Sequence, residues 1–484
     1  MLKKFKTNCK ILKGKIMTNS YHYAQIHPSW LLMQTANIIV RCVIYMFALS
    51  FLQRLFQFTD TTKYLLLIFI ALLLIINSLL YWKNFRLFFN QEKLTIREGG
   101  LLKKERQINF GNIEGFNEKT NILERLFKLS SLTLKVEANS NEKKIVLPFI
   151  KKREIAEIKN SISSTKDPTN SVINNYVYIM NYHQILKGSF ASLNLILFFT
   201  FMYTIYKNIS DFLNVSDFVH QLQDLYFENW TNIFMGSLII ILLTFLFGVL
   251  KNMLLFGNFK LSNHSKHIDT VWGYISNYHN SVDKAGISAI NIKSSFWQKL
   301  FNINQINVIN INSNNKDIET NIIFPFIETD KINNHLNLLF NLDLYNIHFY
   351  KLKRSAIFVK LLRTCWSWSV LLPVVLYFFK NYSLIIYLLI LLIISSQILQ
   401  TFFNKYSYSS DLLVFKNSGL SLSQYIVNLQ DIEDLIFSQS FLQRKFNLCS
   451  VTVVIKDNPP RKIKMTDIYD LHAQELIKYF KQQY

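Results

Sequence analysis

Residues 121–136 read NILERLFKLSSLTLKV. An apolar pair is followed by a polar residue, a cation, any residue, a Phe and a short step. The stretch then alternates at period two. The same pattern returns as SFWQKLFNINQINVIN at 295–310 and as SFLQRKFNLCSVTVVI at 440–455. Alternation predicts a strand after each Phe. Leu132, Leu134 and Val136 share a face in the first copy, and Val451, Val453 and Ile455 in the third. The middle copy keeps Ile306 and Val308 but has Asn310 next, which predicts a phase shift at a β-bulge.

Working outward, the register around the motif is kept. A β-like run ends at Gly100, Gly273 and Gly419, and an Ile-centred segment follows at Ile113, Ile287 and Ile432. Ile lies 14 residues before the motif Phe in all three copies, and Gly lies 27, 28 and 27 residues before it. Chance rarely keeps such a spacing three times, so the chain is read as an internal repeat. After the motif come a polar turn, a further strand (VLPFI at 146–150, IIFPFI at 322–327, KIKM at 462–465) and a helical pattern. In 151–163, Ile155, Ile158 and Ile162 share one face. In 467–480, Ile468, Leu471, Leu476 and Phe480 do the same. Several short strands plus one amphipathic helix predict a small β-sandwich or partly open barrel capped by its helix.

Before each soluble segment lies a pair of apolar stretches. They are 31–54 and 63–82, 188–207 and 233–255, and 357–379 and 383–403. About 20 apolar residues suffice to span a bilayer, so six transmembrane helices in three hairpins are expected. The division is then a basic N-terminus (1–30), hairpins at 31–82, 188–255 and 357–403, and modules at 83–165, 256–342 and 404–484. Half of the 484 residues are hydrophobic and the net charge is +22. The loop 208–232 carries Asp211, Asp217, Asp224 and Glu228 and no Lys or Arg, while the segments after each hairpin hold most of the basic residues. The positive-inside rule therefore puts both termini and all three modules in the cytoplasm. Topology accounts for most of the charge, and nucleic acid is not an expected partner.

The order of helix hairpin, Gly-ended strand, Ile-centred strand, NILERLFKLSSLTLKV-type motif, VLPFI and helix resembles the bacterial pleckstrin-homology-like (PH-like) membrane proteins of the YdbS/YdbT type. Three copies on six helices resemble the larger, YdbT-like member. The similarity runs from about residue 27 to 484, is strongest in the first copy and weakest in the middle one. The resemblance implies an α+β membrane protein with cytoplasmic PH-like modules. It also implies a smaller single-module PH-like membrane protein as partner, and a link to bacteriocin resistance or envelope stress.

Candidate contacts follow from the charges. Arg125, Lys299 and Arg444 keep a cation at one motif position, suited to a lipid phosphate or an acidic partner. Arg97, Lys103, Lys104 and Arg106 form a denser basic set in the first module, expected to attract anionic phospholipid. Arg41 and Arg363 lie inside apolar helices, where a charge is costly; they either reach the headgroups or serve a function. Phe127, Phe301 and Phe446 are expected to be core residues of the motif. His264 and His267, in HSKH, read as a solvated loop, since no further metal-spaced cluster accompanies them. There is no GxxxxGK[ST], GxGxxG, HExxH or GxSxG, and no acidic residue lies mid-helix in a membrane stretch. No cofactor is expected. The chain reads as a non-enzymatic scaffold; a transporter or lipid-handling protein is the alternative, since repeats also build transport folds.

Overall fold

In a computed structural model of the chain, the described residues are 22–56, 59–90, 92–100, 102–136, 144–166, 176–190, 229–310, 321–364, 383–456 and 460–483. One element order is repeated three times. Copy one has six strands, Arg86–Phe89, Lys93–Glu98, Lys104–Asn109, Ile113–Thr120, Leu129–Val136 and Lys144–Lys151, and closes with the helix Lys152–Lys166. Copy two has Lys260–Asn263, His267–Trp272, Asn277–Asp283, Ile287–Ser294, Ile303–Asn310 and Ile322–Glu328, then the helix Ile332–Phe340. Copy three has Lys405–Tyr408, Leu412–Ser418, Leu422–Asn428, Ile432–Ser438, Leu448–Ile455 and Arg461–Tyr469, then the helix Asp470–Gln483. A single 3-10 turn sits between the third and fourth strands, and a five-residue helix between the fourth and fifth, in every copy.

The chain divides into two compact units. The first is Met1–Asn175 with Ile275–Val282, and the second is Tyr176–Tyr274 with Asp283–Tyr484. In the first unit, His22–Ala24 joins the first three strands of copy one in a four-stranded sheet. The last three strands of copy one form the opposing sheet, and Asn277–Asp283 from copy two pairs with its Ile113–Thr120 edge. One core unites both sheets and the closing helix: Leu87, Phe89, Leu94, Ile96, Leu132, Leu134, Leu147, Ile155 and Ile158 are all buried in it. Burying each such side chain contributes about 1.5–3 kcal/mol.

In the second unit, one seven-stranded antiparallel sheet runs from the sixth, fifth and fourth strands of copy two straight into the third, second and first strands of copy three, ending at Tyr350–Lys351. The last three strands of copy three form a separate sheet, Ile432–Ser438, Leu448–Ile455, Arg461–Tyr469. Phe415 and Val427 of the first sheet and Val451, Val453 and Ile463 of the second belong to one core.

The strand plan expected of each module is present in every copy, and neighbouring copies are joined along their sheet edges. Within each unit the fourth strand of one copy takes the third strand of the next, and the register is the same both times. Asn117 faces Asn280, and its repeat equivalent Asn291 faces Tyr425, the equivalent of Asn280. Side-chain alternation specifies which face of a strand is buried, but not which strand its edge hydrogen-bonds.

A register shift does occur at Asn310, but its extra residue, Ser288, lies on the facing strand between Ile287 and Ala289, and the same irregularity recurs at Ile113/Gly115 and Ile432/Asp434. Asn310 faces Ile287 just as Val136 faces Ile113 and Ile455 faces Ile432. Alternation fades there because the strand is buried on both faces: Ile306, Val308, Ile309 and Asn310 are all buried.

Four helices among the described residues are long and apolar enough to cross a membrane: Ser29–Gln53, Asp60–Asn84, Trp230–Phe256 and Ile386–Phe403. Thr59 caps the second, accepting from the Thr62 N–H. Of the other two expected spans, helices are described at Tyr182–Phe190 and over 355–364; the rest of 188–207 and of 357–379 lies outside the described residues. The outcome is a mixed helix-and-sheet protein with apolar helices between its repeated domains.

Candidate functional site

The repeated motif builds a cap on each copy. Asn121, Ser295 and Ser440 are helix N-caps, and Glu124, Gln298 and Gln443 reach back to the N-cap backbone N–H, completing a capping box each time. The residue after the motif Phe is left-handed in every copy: Lys128 (φ 56), Asn302 (φ 55) and Asn447 (φ 52). This turn feeds the chain into the fifth strand. Asn tolerates such a backbone well and Lys less so.

The buried member of the motif is the capping-box residue. Glu124 is buried, donates nothing and accepts from the Asn121 N–H (2.7 Å) and from the Ser131 hydroxyl. Gln443 is buried too, and its Nε2 donates to Ser450 Oγ and to Asp467 Oδ1, each at 2.8 Å. The expectation that Phe127, Phe301 and Phe446 fill the core is corrected. Each is the C-cap of its helix; Phe127 is 42% exposed and the other two are half-buried. An S/N-x-x-E/Q signature was legible at each site and marks the motif more sharply than the aromatic does.

The motif helix meets the base of the membrane helices. Phe127 lies 5.7 Å from the His27 ring, just before the helix that starts at Ser29. Phe446 lies 5.8 Å from Phe358, and with Leu442 it packs on Ala356 and Val359. Helix Phe296–Leu300 contacts helix Tyr182–Phe190. Leu126 (74% exposed), Leu300 (63%) and Phe441 (83%) project from these three helices. The turn after the second strand meets the far end of each hairpin. Asn84 Nδ2 donates to the carbonyls of Gly99 and Gly100, and a Cβ on Gly100 or Gly419 would collide with Asn77 or Gln400. Close approach to a helix end thus explains the Gly read in the sequence.

Two motif cations face the next copy. Arg125 donates to Asn277 Oδ1 at 2.7 Å. Lys299 Nζ donates to Ser418 Oγ (3.1 Å) and to the Gly419 carbonyl (2.9 Å), and lies over the Phe403 ring. Arg444, in the third copy, is exposed. Beside Arg125, Glu118 ion-pairs with Lys159, whose Nζ is 3.0 Å from His279 Nδ1. Burial raises the Glu118 pKa, but Lys159, through charge and hydrogen bonding, outweighs it and holds the carboxyl below its ordinary value. At Glu124 burial wins, and its pKa is raised.

The other predicted residues separate. Arg97 pairs with Glu105 (2.9 Å) and Arg106 with Glu98, so two of the four charges in the basic set are matched within their own hairpin. Lys103 and Lys104 are exposed. Arg41 is exposed on its helix. Arg363 reaches Asp467 Oδ1 at 2.8 Å, and Asp467 is fully buried.

Fold and repeats together define a membrane-spanning protein built on bacterial PH domains. Residues 42–166 and 357–483, together just over half of the chain, match the family described as Bacterial PH domain, and the chain belongs to that family. The match takes in copies one and three and leaves out the divergent middle copy. Among curated proteins, the chain is 18% identical over 486 residues to the UPF0699 transmembrane protein YdbT of Bacillus subtilis (strain 168), covering 94% of this chain and 97% of that protein.

Proposed function

We propose that the protein is a non-enzymatic membrane scaffold whose PH copies rest against the cytoplasmic leaflet, joined edge to edge, and whose last edge receives a PH copy from a smaller membrane protein. One observation carries this reading. Ile113–Thr120 and Ile287–Ser294 each have the next copy's third strand on their outer edge, whereas their equivalent, Ile432–Ser438, ends its sheet among the described residues. Most of Ile287–Ser294 is buried, but Glu433, Asp434, Ile436 and Ser438 are exposed. An open edge is a template for another strand. Lateral docking within one bilayer suits modules already held at its surface. Exposed Leu126, Leu300 and Phe441, with Arg125 and Arg444 beside them, suit the anionic headgroup layer.

The reading is tested with a photo-crosslinking residue at Ile436 in the full chain in native membranes. An adduct with a membrane protein carrying one bacterial PH copy is expected, and adding Asp434→Pro, which disrupts the edge, abolishes it. Adducts only with lipid, or none, refute the docking. The physiological part of the proposal, protection of the envelope against membrane-active peptides, predicts that a deletion strain is more sensitive to cationic bacteriocins; unchanged sensitivity removes it.

A further inference from the structure

The second copy carries a side-chain cluster that the other two lack. Its first two strands form a hairpin closed by the His264 N–H donating to the His267 carbonyl at 2.9 Å. The same turn closes copy one (Asn90 to Lys93, 3.1 Å) and copy three (Ser409 to Leu412, 2.9 Å). Residues directly across a hairpin, and two further along a strand, share a face. His264 and His267 flank the turn, and Asp269, which faces Ser262 in the ladder, lies two residues beyond His267. All three are thus on one side. In copies one and three those places hold Asn90, Lys93 and Thr95, and Ser409, Leu412 and Val414. Neither set can bind a transition metal through three side chains.

The observed spacing is that of a coordination shell. His264 Nε2 is 3.5 Å and His267 Nε2 is 3.8 Å from the same oxygen, Asp269 Oδ2, and the three ligand atoms lie within 4.8 Å of one another. Metal–ligand bonds of about 2.0–2.2 Å in a tetrahedron put ligand atoms about 3.3–3.6 Å apart. The imidazole rings stack at 4.5 Å, so a small rotation brings both nitrogens onto one ion. None of the three is fully exposed: side-chain exposure is 18%, 32% and 17%. We propose that His264, His267 and Asp269 form a binding site for one divalent transition metal ion of the zinc class, with its fourth position left to water. The donor set, two imidazoles and a carboxylate, suits zinc and cobalt over calcium or magnesium.

The test uses the purified full chain in detergent, freed of any affinity tag and stripped with chelator. It is titrated with Co2+, followed by absorption, and then with Zn2+ as competitor. One equivalent per chain is expected, with the absorption of a four-coordinate site displaced by Zn2+. His264→Ala, His267→Ala and Asp269→Asn each weaken binding on the order of tenfold or more, and His183→Ala, remote from the turn in sequence, leaves it unchanged. Melting temperatures in chelator equal to that of the native chain show that the variants fold, and Zn2+ raises the melting temperature of the native chain alone. Absence of one-equivalent saturable uptake, or equal affinity in the three variants, overturns the proposal.

Discussion

Glu124→Gln is an experiment the repeat has already performed twice. Copies two and three carry Gln298 and Gln443 where copy one carries Glu124, and all three complete the same capping box. A Gln at 124 keeps the acceptor for the Asn121 N–H, as in the Ser295-to-Gln298 (2.8 Å) and Ser440-to-Gln443 (3.0 Å) bonds. It also gains a donor for Ser131, the equivalent of Gln443 Nε2 to Ser450. What is removed is a buried negative charge. The carboxylate's bonds are stronger than neutral ones, yet burial outweighs them and raises the Glu124 pKa above 4.5. Replacing a buried carboxylate by an amide that keeps the same hydrogen bonds is expected to stabilise the first unit at pH 8, by about the net worth of one hydrogen bond, ~1 kcal/mol. A group with a raised folded pKa is penalised where it is ionised and relieved as pH falls. The gain is therefore largest above the raised pKa and shrinks toward zero below about pH 4.5. Thermal melting of the full chain in detergent, read by tryptophan fluorescence from pH 8 to pH 4, measures the difference. A destabilised variant at pH 8, or a gain that does not shrink with acidification, refutes the claim that burial governs this carboxyl.

Glu118 has the opposite sign. Its pKa is lowered overall, so its pair with Lys159 contributes stability at neutral pH that is lost as pH falls through that lowered value. Glu118→Gln is expected to cost about 2 kcal/mol at pH 7 and progressively less as pH falls through the lowered pKa, as measured by melting against pH. Arg363→Ala leaves the buried Asp467 carboxylate with the Gln443 amide at its Oδ1. Because Arg363 is 45% exposed, the loss is expected at about 2 kcal/mol, below the usual range for a fully buried pair. Adding Asp467→Asn, which keeps a residue that accepts the local φ of 66, recovers part of it in a double-mutant cycle. Gly99→Ala places a Cβ 1.8 Å from the Leu102 carbonyl oxygen at a φ of 129 and is expected to destabilise the first unit by at least about 2 kcal/mol; an unchanged melt rules out the turn geometry.

How far the sequence could be read depended on the type of signal. The three copies, their strands and closing helices, and four of the apolar spans were legible because each is written as a pattern in side chains. Leu132, Leu134, Ile155 and Ile158 are buried as their spacing predicts. The role of Phe127 was not legible, because an apolar residue at a cap beside a membrane helix looks the same in sequence as one in a core. Nor was the His264, His267 and Asp269 cluster, since the three come onto one face only through the hairpin turn, at no recognised metal spacing. Arg363 read as an isolated intramembrane charge because its counter-ion is 104 residues away. The edge-to-edge pairing between copies escaped altogether, because backbone hydrogen bonds along an edge leave no residue signature.

That last gap has a partial remedy in the charges at the open edge. Where Ile287–Ser294 has Ser288 and Ala289, both buried, Ile432–Ser438 has Glu433 and Asp434, both exposed. The repeat register places Ala289 opposite Val427, so a strand docked on the last copy would set its corresponding residue opposite Asp434. Paired charges across a ladder stabilise when opposite and destabilise when alike, by about 0.2–1 kcal/mol each. Two acidic residues at the start of this edge therefore select against acidic or purely apolar strands and favour a basic one, a discrimination an apolar edge could not make. The consequence is a prediction that separates docking from folding. Asp434→Lys lies on an exposed position outside the core, so the melting temperature should stay unchanged, while the adduct formed at Ile436 should fall several-fold. If the adduct survives charge reversal undiminished, the partner does not read this edge through its side chains, and the acidic pair serves only to keep the strand soluble.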